Sequence, residues 1–168
     1  MKKSIYIAIF SFVSMVCISC TSESKPEDFA SKKAFGLLQK MNTMSQEEFN
    51  SHFISLNELR EIVKDTAVNE TFRNAITRVS KEIHNNRLQQ SYTMIKESGK
   101  RFEIDWKDIS FKEYPYVMRD EENALTFQDG FLAFDYKEKK LVAKIVSIQY
   151  KDKKYLFNFS NIEPVRKQ

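Results

Sequence analysis

Apolar residues recur every three or four positions from Phe29 to Ser98, and every second position from Phe102 to Phe159. The first spacing marks helices with one buried stripe; the second marks strands buried on one face. Ser45-Gln46-Glu47-Glu48 and Ser55-Leu56-Asn57-Glu58 each set a serine three residues before a glutamate. That arrangement lets the two side chains satisfy the free amides at a helix start. It predicts helices over 30–41, 46–53 and 56–64. Val68, Phe72, Ile76, Val79 and Ile83 predict a longer helix over 68–97. Asn85-Asn86-Arg87 is the place for a kink in it, and Gly99 serves as its C-cap.

In the second half, Phe102, Ile104 and Trp106 alternate with Glu103 and Asp105. Leu132, Phe134 and Tyr136 share one face of a strand, and Val142, Val146, Ile148 and Tyr150 share one face of another. Tyr155, Phe157 and Phe159 close the series. Lys137-Glu138-Lys139-Lys140 and Lys151-Asp152-Lys153 fall between these runs and predict hairpin turns. Such short connections make the strands sequential and antiparallel. Tyr114-Pro115-Tyr116 fits an edge or a bulge, because proline cannot donate to a ladder. The fold class is α+β, with N-terminal helices packed on one face of a curved antiparallel sheet of about four strands.

The 168 residues, 42% of them hydrophobic and 13% aromatic, suffice for one core and exclude wholesale disorder. Three domains of use follow: 1–19 as a leader, 20–28 as a polar tether, and 29–168 as a single α+β domain. The leader has a basic start at Lys2-Lys3, an apolar run from Ile5 to Ile18, and small residues before Cys20. These are the three parts of a secretory signal, and the run is shorter than the roughly 20 residues that span a bilayer.

Cys17-Ile18-Ser19-Cys20 resembles the lipobox of bacterial lipoproteins, with Cys17 where leucine is usual. The resemblance implies cleavage between Ser19 and Cys20, and a membrane anchor of diacylglycerol and palmitate on Cys20. Thr21 after the cysteine fits outer-membrane sorting, with TSESKPED (21–28) lifting the domain off the bilayer. The mature chain would then keep no free thiol. Without Lys2 and Lys3 it carries 25 basic and 23 acidic residues, so the +4 of the precursor falls to +2 and leaves no footprint for nucleic acid.

Candidate chemistry is sparse. His52 and His84 each stand alone in a helical stretch, as partly exposed residues rather than ligands, so no metal site is expected. Glycine occurs only at 36, 99 and 130, which excludes a phosphate loop or a dinucleotide fingerprint, and no cofactor is implied. A pocket with an inward carboxylate would draw on Asp105, Trp106, Tyr114, Asp135, Tyr136 and Tyr150, with Asp108 as a third acid. Asp65-Thr66-Ala67 resembles the O-glycosylation site of Bacteroidetes envelope proteins, with Thr66 as acceptor.

Helices followed by a sheet, with Asp105-Trp106-Lys107-Asp108-Ile109 and Lys153-Lys154-Tyr155-Leu156-Phe157 as sheet segments, resemble the NTF2-like and cystatin-like cones of small Bacteroidetes lipoproteins. The expectation is a lipid-anchored envelope protein that binds a protein or a small ligand without catalysis. The alternative is an NTF2-like enzyme or ligand binder using an inward Asp with a Tyr partner.

Overall fold

A computed structural model describes residues 26–119 and 124–165. Five helices come first: α1 (Phe29–Gln39), α2 (Gln46–Ser51), α3 (Leu56–Ile62), α4 (Glu70–Thr77) and α5 (Lys81–Arg101). After a 3₁₀ turn at Trp106–Asp108 come β1 (Ser110–Glu113), β2 (Tyr116–Arg119), β3 (Leu125–Tyr136), β4 (Lys139–Tyr150) and β5 (Lys153–Pro164). The strands form one open antiparallel sheet in which β1 and β2 both pair with β3, followed by β4 and β5.

Each helix starts on a side chain that accepts its free amides. Asp28 takes the Ala30 N–H at 2.7 Å, and Ser45 takes that of Glu48 at 3.1 Å. Ser55 and Glu58 complete a reciprocal capping box, as the sequence predicts. The helix predicted over 68–97 is instead two. Asn69 caps α4, and Ser80 caps α5 by accepting the Ile83 N–H at 3.1 Å. The break falls at Val79-Ser80, and Asn85-Asn86-Arg87 runs inside an unbroken α5. The apolar spacing hides the break because Val79 falls in the three-residue turn 78–80, while Ile83, which continues the stripe in the sequence, is exposed on α5.

Gly99 does not end α5. The helix runs on to Arg101, and a Cβ at Gly99 would sit 2.8 Å from Cζ2 of Trp106. Glycine stands there so that the indole can lie against the helix. The actual terminus is a Schellman motif: Ile104 N–H donates to the Gly99 carbonyl at 2.8 Å, and Glu103 N–H to that of Lys100 at 3.2 Å. Glu103 holds the left-handed conformation usual for glycine, with φ at 53°. Phe102, Ile104 and Trp106 are therefore not a strand, and their alternation reflects the cap folding back on the helix. A left-handed L-residue costs roughly 1–2 kcal/mol, less about 0.5–1 for glycine's extra freedom in the unfolded chain. Glu103→Gly should accordingly stabilise the domain by about 0.5–1 kcal/mol, raising the urea midpoint at constant m. An unchanged or lower midpoint would contradict this cap.

The two hairpins close over Lys137-Glu138 and Lys151-Asp152, as predicted, with Tyr136 opposite Lys139 and Tyr150 opposite Lys153. The sheet has five strands, rather than about four, because its outer strand breaks at Tyr114-Pro115. A bulge between Phe111 and Glu113 precedes the break.

The helices do not all lie on one face. The larger core joins Leu37, Leu38 and Met41 of α1 and its end, Phe49, Leu88 and Ile95 to Leu132, Phe134, Leu141, Ala143 and Ile145 of the sheet. A second core joins Leu59 and Ile62 of α3 and Ile76 of α4 to Leu125 and Ile148. Register puts Leu132 and Phe134 on one face of β3 and Leu125 and Phe127 on the other. The apolar side of the sheet switches midway, near the buried hydrogen bond from Ser147 to Gln128 (3.0 Å). Helices α3 and α4 cover the reverse face at that end. Val142 and Val146 share a face with Ile148 and Tyr150, as read from the sequence, but they are only half-buried. Leu141, Ala143 and Ile145 opposite them form the core.

Candidate interaction surface

The six residues predicted to line a pocket do not converge. Asp105 caps the 3₁₀ turn and accepts a hydrogen bond from Nδ2 of Asn42 at 2.6 Å, with Nζ of Lys107 at 3.3 Å. Those partners, Asn42 first, hold its carboxyl below the usual range. Trp106 is buried between Gly99 and Phe134, and Tyr136 is buried in the same core. Asp135 lies on the opposite face from Phe134 and pairs with Lys112 at 3.2 Å, while Asp108 is exposed. No inward acid meets a tyrosine among these residues.

Tyr150 stands at the far end of the sheet, where its hydroxyl donates to Oδ2 of Asp65 at 2.8 Å. The Ala67 amide, and then this hydroxyl, lower the Asp65 pKa. Beside them an open groove of about 530 Å³ runs between α3 and the β4–β5 turn, lined by Glu58, Glu61, Tyr150, Lys151 and Tyr155. Thr66 is exposed in the turn between α3 and α4. Ser19 and Cys20 lie outside the described residues.

The histidines differ from each other. His52 is half-exposed at the end of α2, whereas His84 is buried on α5 and not partly exposed as expected. Burial lowers the pKa of both. Arg87, one turn on, stacks over the Phe157 ring at 4.5 Å, and its Nε and Nη2 are buried without an acceptor. Among the described residues no three His, Cys, Asp or Glu side chains gather as metal ligands. No described helix is long and apolar enough to cross a membrane.

The outer edge of the sheet is the feature that stands apart. All of β2 is exposed, including Tyr116 (49%), Val117 (68%) and Met118 (44%), and Phe131 beside it on β3 is half exposed. These four make up more than half of the large exposed hydrophobic side chains among the described residues, the others being scattered. Clustered exposed apolar residues mark contact surfaces where single ones do not.

The edge is held firmly from within. Arg119 pairs with Asp129 at 2.9 Å and lies over the Phe127 ring. The Tyr114 ring covers Gly130, where any Cβ would overlap it. Glycine is thus the residue that lets the edge fold flat onto β3. This placement buries the Tyr114 hydroxyl without a partner, and burial pushes its pKa up. Tyr116 and Met118 border a small polar recess of about 80 Å³ with Asp28, Gln128, Ser147 and Lys154.

The sequence pointed to this edge only through Tyr114-Pro115-Tyr116. Val117 and Met118 were legible as adjacent apolar residues on opposite faces of a proline-bounded strand, a pattern that no single-faced strand needs. Comparison with protein-family models, curated proteins and solved structures finds no match for the chain.

Proposed function

We propose that the chain is a lipid-anchored envelope lipoprotein, held in the outer membrane through Cys20, whose domain acts by docking a protein strand on the open edge of β2. The observation that carries this is the apolar cluster of Tyr116, Val117, Met118 and Phe131 on a strand with no outer neighbour among the described residues. Natural edge strands are usually guarded by charge, proline or bulges. Here the bulge and Pro115 guard only the first half, and Tyr116–Met118 carries no charge. Strand addition supplies backbone hydrogen bonds for affinity, with side chains on both faces for selectivity.

The anchor is supported by the lipobox at Cys17–Cys20 and by the polar tether after it. The order of helices then bulged sheet supports an NTF2-like or cystatin-like cone as the fold type, from which α3 and α4 on the reverse face depart. The reading that relied on an inward Asp with a Tyr partner takes second place, since its acids pair with Asn42, Lys107 and Lys112 instead. Amide exchange at Tyr116 and Met118 in the anchored protein tests the docking edge: bound partner strands slow it, and a free edge does not.

A further inference from the structure

Antiparallel pairing fixes which backbone groups of β2 point outward. Phe131 N–H donates to the Pro115 carbonyl at 2.9 Å, and the register continues with Val117 opposite Asp129 and Arg119 opposite Phe127. Hydrogen-bonded positions alternate along such a pair. Val117 and Arg119 therefore direct their N–H and C=O groups into β3, while Tyr116 and Met118 direct theirs away from the sheet.

We propose that the strand received by this edge is β2 of a second copy, paired antiparallel about a two-fold axis through Val117. This rests on the docking reading above and names its partner. With the axis at Val117, Tyr116 of each copy lies opposite Met118 of the other. Each of these pairs exchanges two hydrogen bonds, so all four outward groups of the strand are satisfied in both copies. A register centred on Tyr116 or on Met118 pairs only one of those two residues within the strand.

The side chains agree with this register. Val117 meets Val117 of the second copy, with Phe131 flanking it on the same face. Tyr116 lies beside Met118 of the second copy on the other face. Arg119 faces Pro115, so no like charges meet, and its own charge is already paired with Asp129.

Four exposed side chains per copy fall well short of the roughly 800 Å² per partner of a standard interface. The pair is accordingly weak in dilute solution and depends on confinement. Asp28 borders the recess beside Tyr116 and Met118. The eight Cα–Cα steps from Cys20 to Asp28 reach about 28 Å at most when fully extended. Two anchored copies thus carry their edges at similar heights above one membrane, where effective concentration replaces contact area.

The test uses the full chain in the membranes of cells that make it, carrying Val117→Cys. Non-hydrogen-bonded antiparallel partners have Cα atoms about 4.5 Å apart, within the span of a disulfide. Mild copper-phenanthroline oxidation should therefore shift Val117→Cys to twice its mass, and Met118→Cys far less, with no shift in the unsubstituted chain. Equal yields at 117 and 118 would indicate collision and overturn the register. The same Val117→Cys labelled with a benzophenone maleimide separates the remaining cases. Adducts of other masses without dimer would overturn the second copy as partner and leave the docking edge standing. No adduct of any kind would overturn both.

Discussion

Cys20→Ser should leave the chain at its precursor mass and without labelled fatty acid. Signal cleavage before a lipobox cysteine follows acylation of that cysteine, so removing one sulfur removes both events. The effect is all-or-none because both events need that one sulfur; each acyl methylene then buried adds about 0.8 kcal/mol to anchoring. One acyl chain binds reversibly, whereas diacylglycerol plus an amide-linked acid does not let go. Labelled palmitate still entering the Cys20→Ser chain would move the acceptor to Cys17 or remove the lipoprotein reading. The domain itself should be untouched, because among the described residues both cores are built from Phe29 onward.

The second large effect lies inside the domain. Trp106→Ala should cost about 3–5 kcal/mol of stability, as large aromatic truncations in packed cores do. Trp106 is 3% exposed, rests on Gly99 of α5 and meets Phe134 of β3 at a ring separation of 6.4 Å. Its removal opens a cavity between the long helix and the sheet that neither can close, since α5 is also fixed along β5. There Ser98 Oγ donates to Asn161 at 2.6 Å, and Arg87 stacks on Phe157. Urea denaturation followed by far-ultraviolet circular dichroism measures this, the indole itself being lost. A loss of about 0.5 kcal/mol or less, within the range of surface substitutions, would mean that Trp106 is not packed in this core and would reopen the pocket reading.

Local signals in the sequence carried the elements whose causes are local. Ser45 and Ser55 mark helix starts because the cap is a contact across three residues. Lys137-Glu138 and Lys151-Asp152 mark hairpins because charge between two apolar runs leaves nothing to bury. Signals that depend on distant partners misled. Gly99 looks like a helix terminus when read alone, yet its glycine is required by Trp106 across a turn. Phe102, Ile104 and Trp106 alternate like a strand because a Schellman cap followed by a 3₁₀ turn also returns every second side chain inward.

The switch of apolar face along β3 and β4 was in the sequence as a change of parity between Leu125-Phe127 and Leu132-Phe134. It acquires meaning only once α3 and α4 are known to cover the reverse side. The exposed apolar edge was half legible. Pro115 announced an edge, but which of Tyr116 to Arg119 face outward follows from register with β3, and register is a long-range property.

Hydrogen exchange at single amides of β2 in the membrane-anchored full chain tests the docking edge most directly. Val117 and Arg119 donate toward β3 and should exchange slowly in every state. Tyr116 and Met118 should exchange slowly as well while the protein is anchored, and at least about tenfold faster once it is dispersed as single copies in detergent, equivalent to about 1.4 kcal/mol of pairing. Fast exchange of Tyr116 and Met118 in both states, beside slow exchange of Val117 and Arg119, would mean that the edge stays open to water and that the domain acts through another surface.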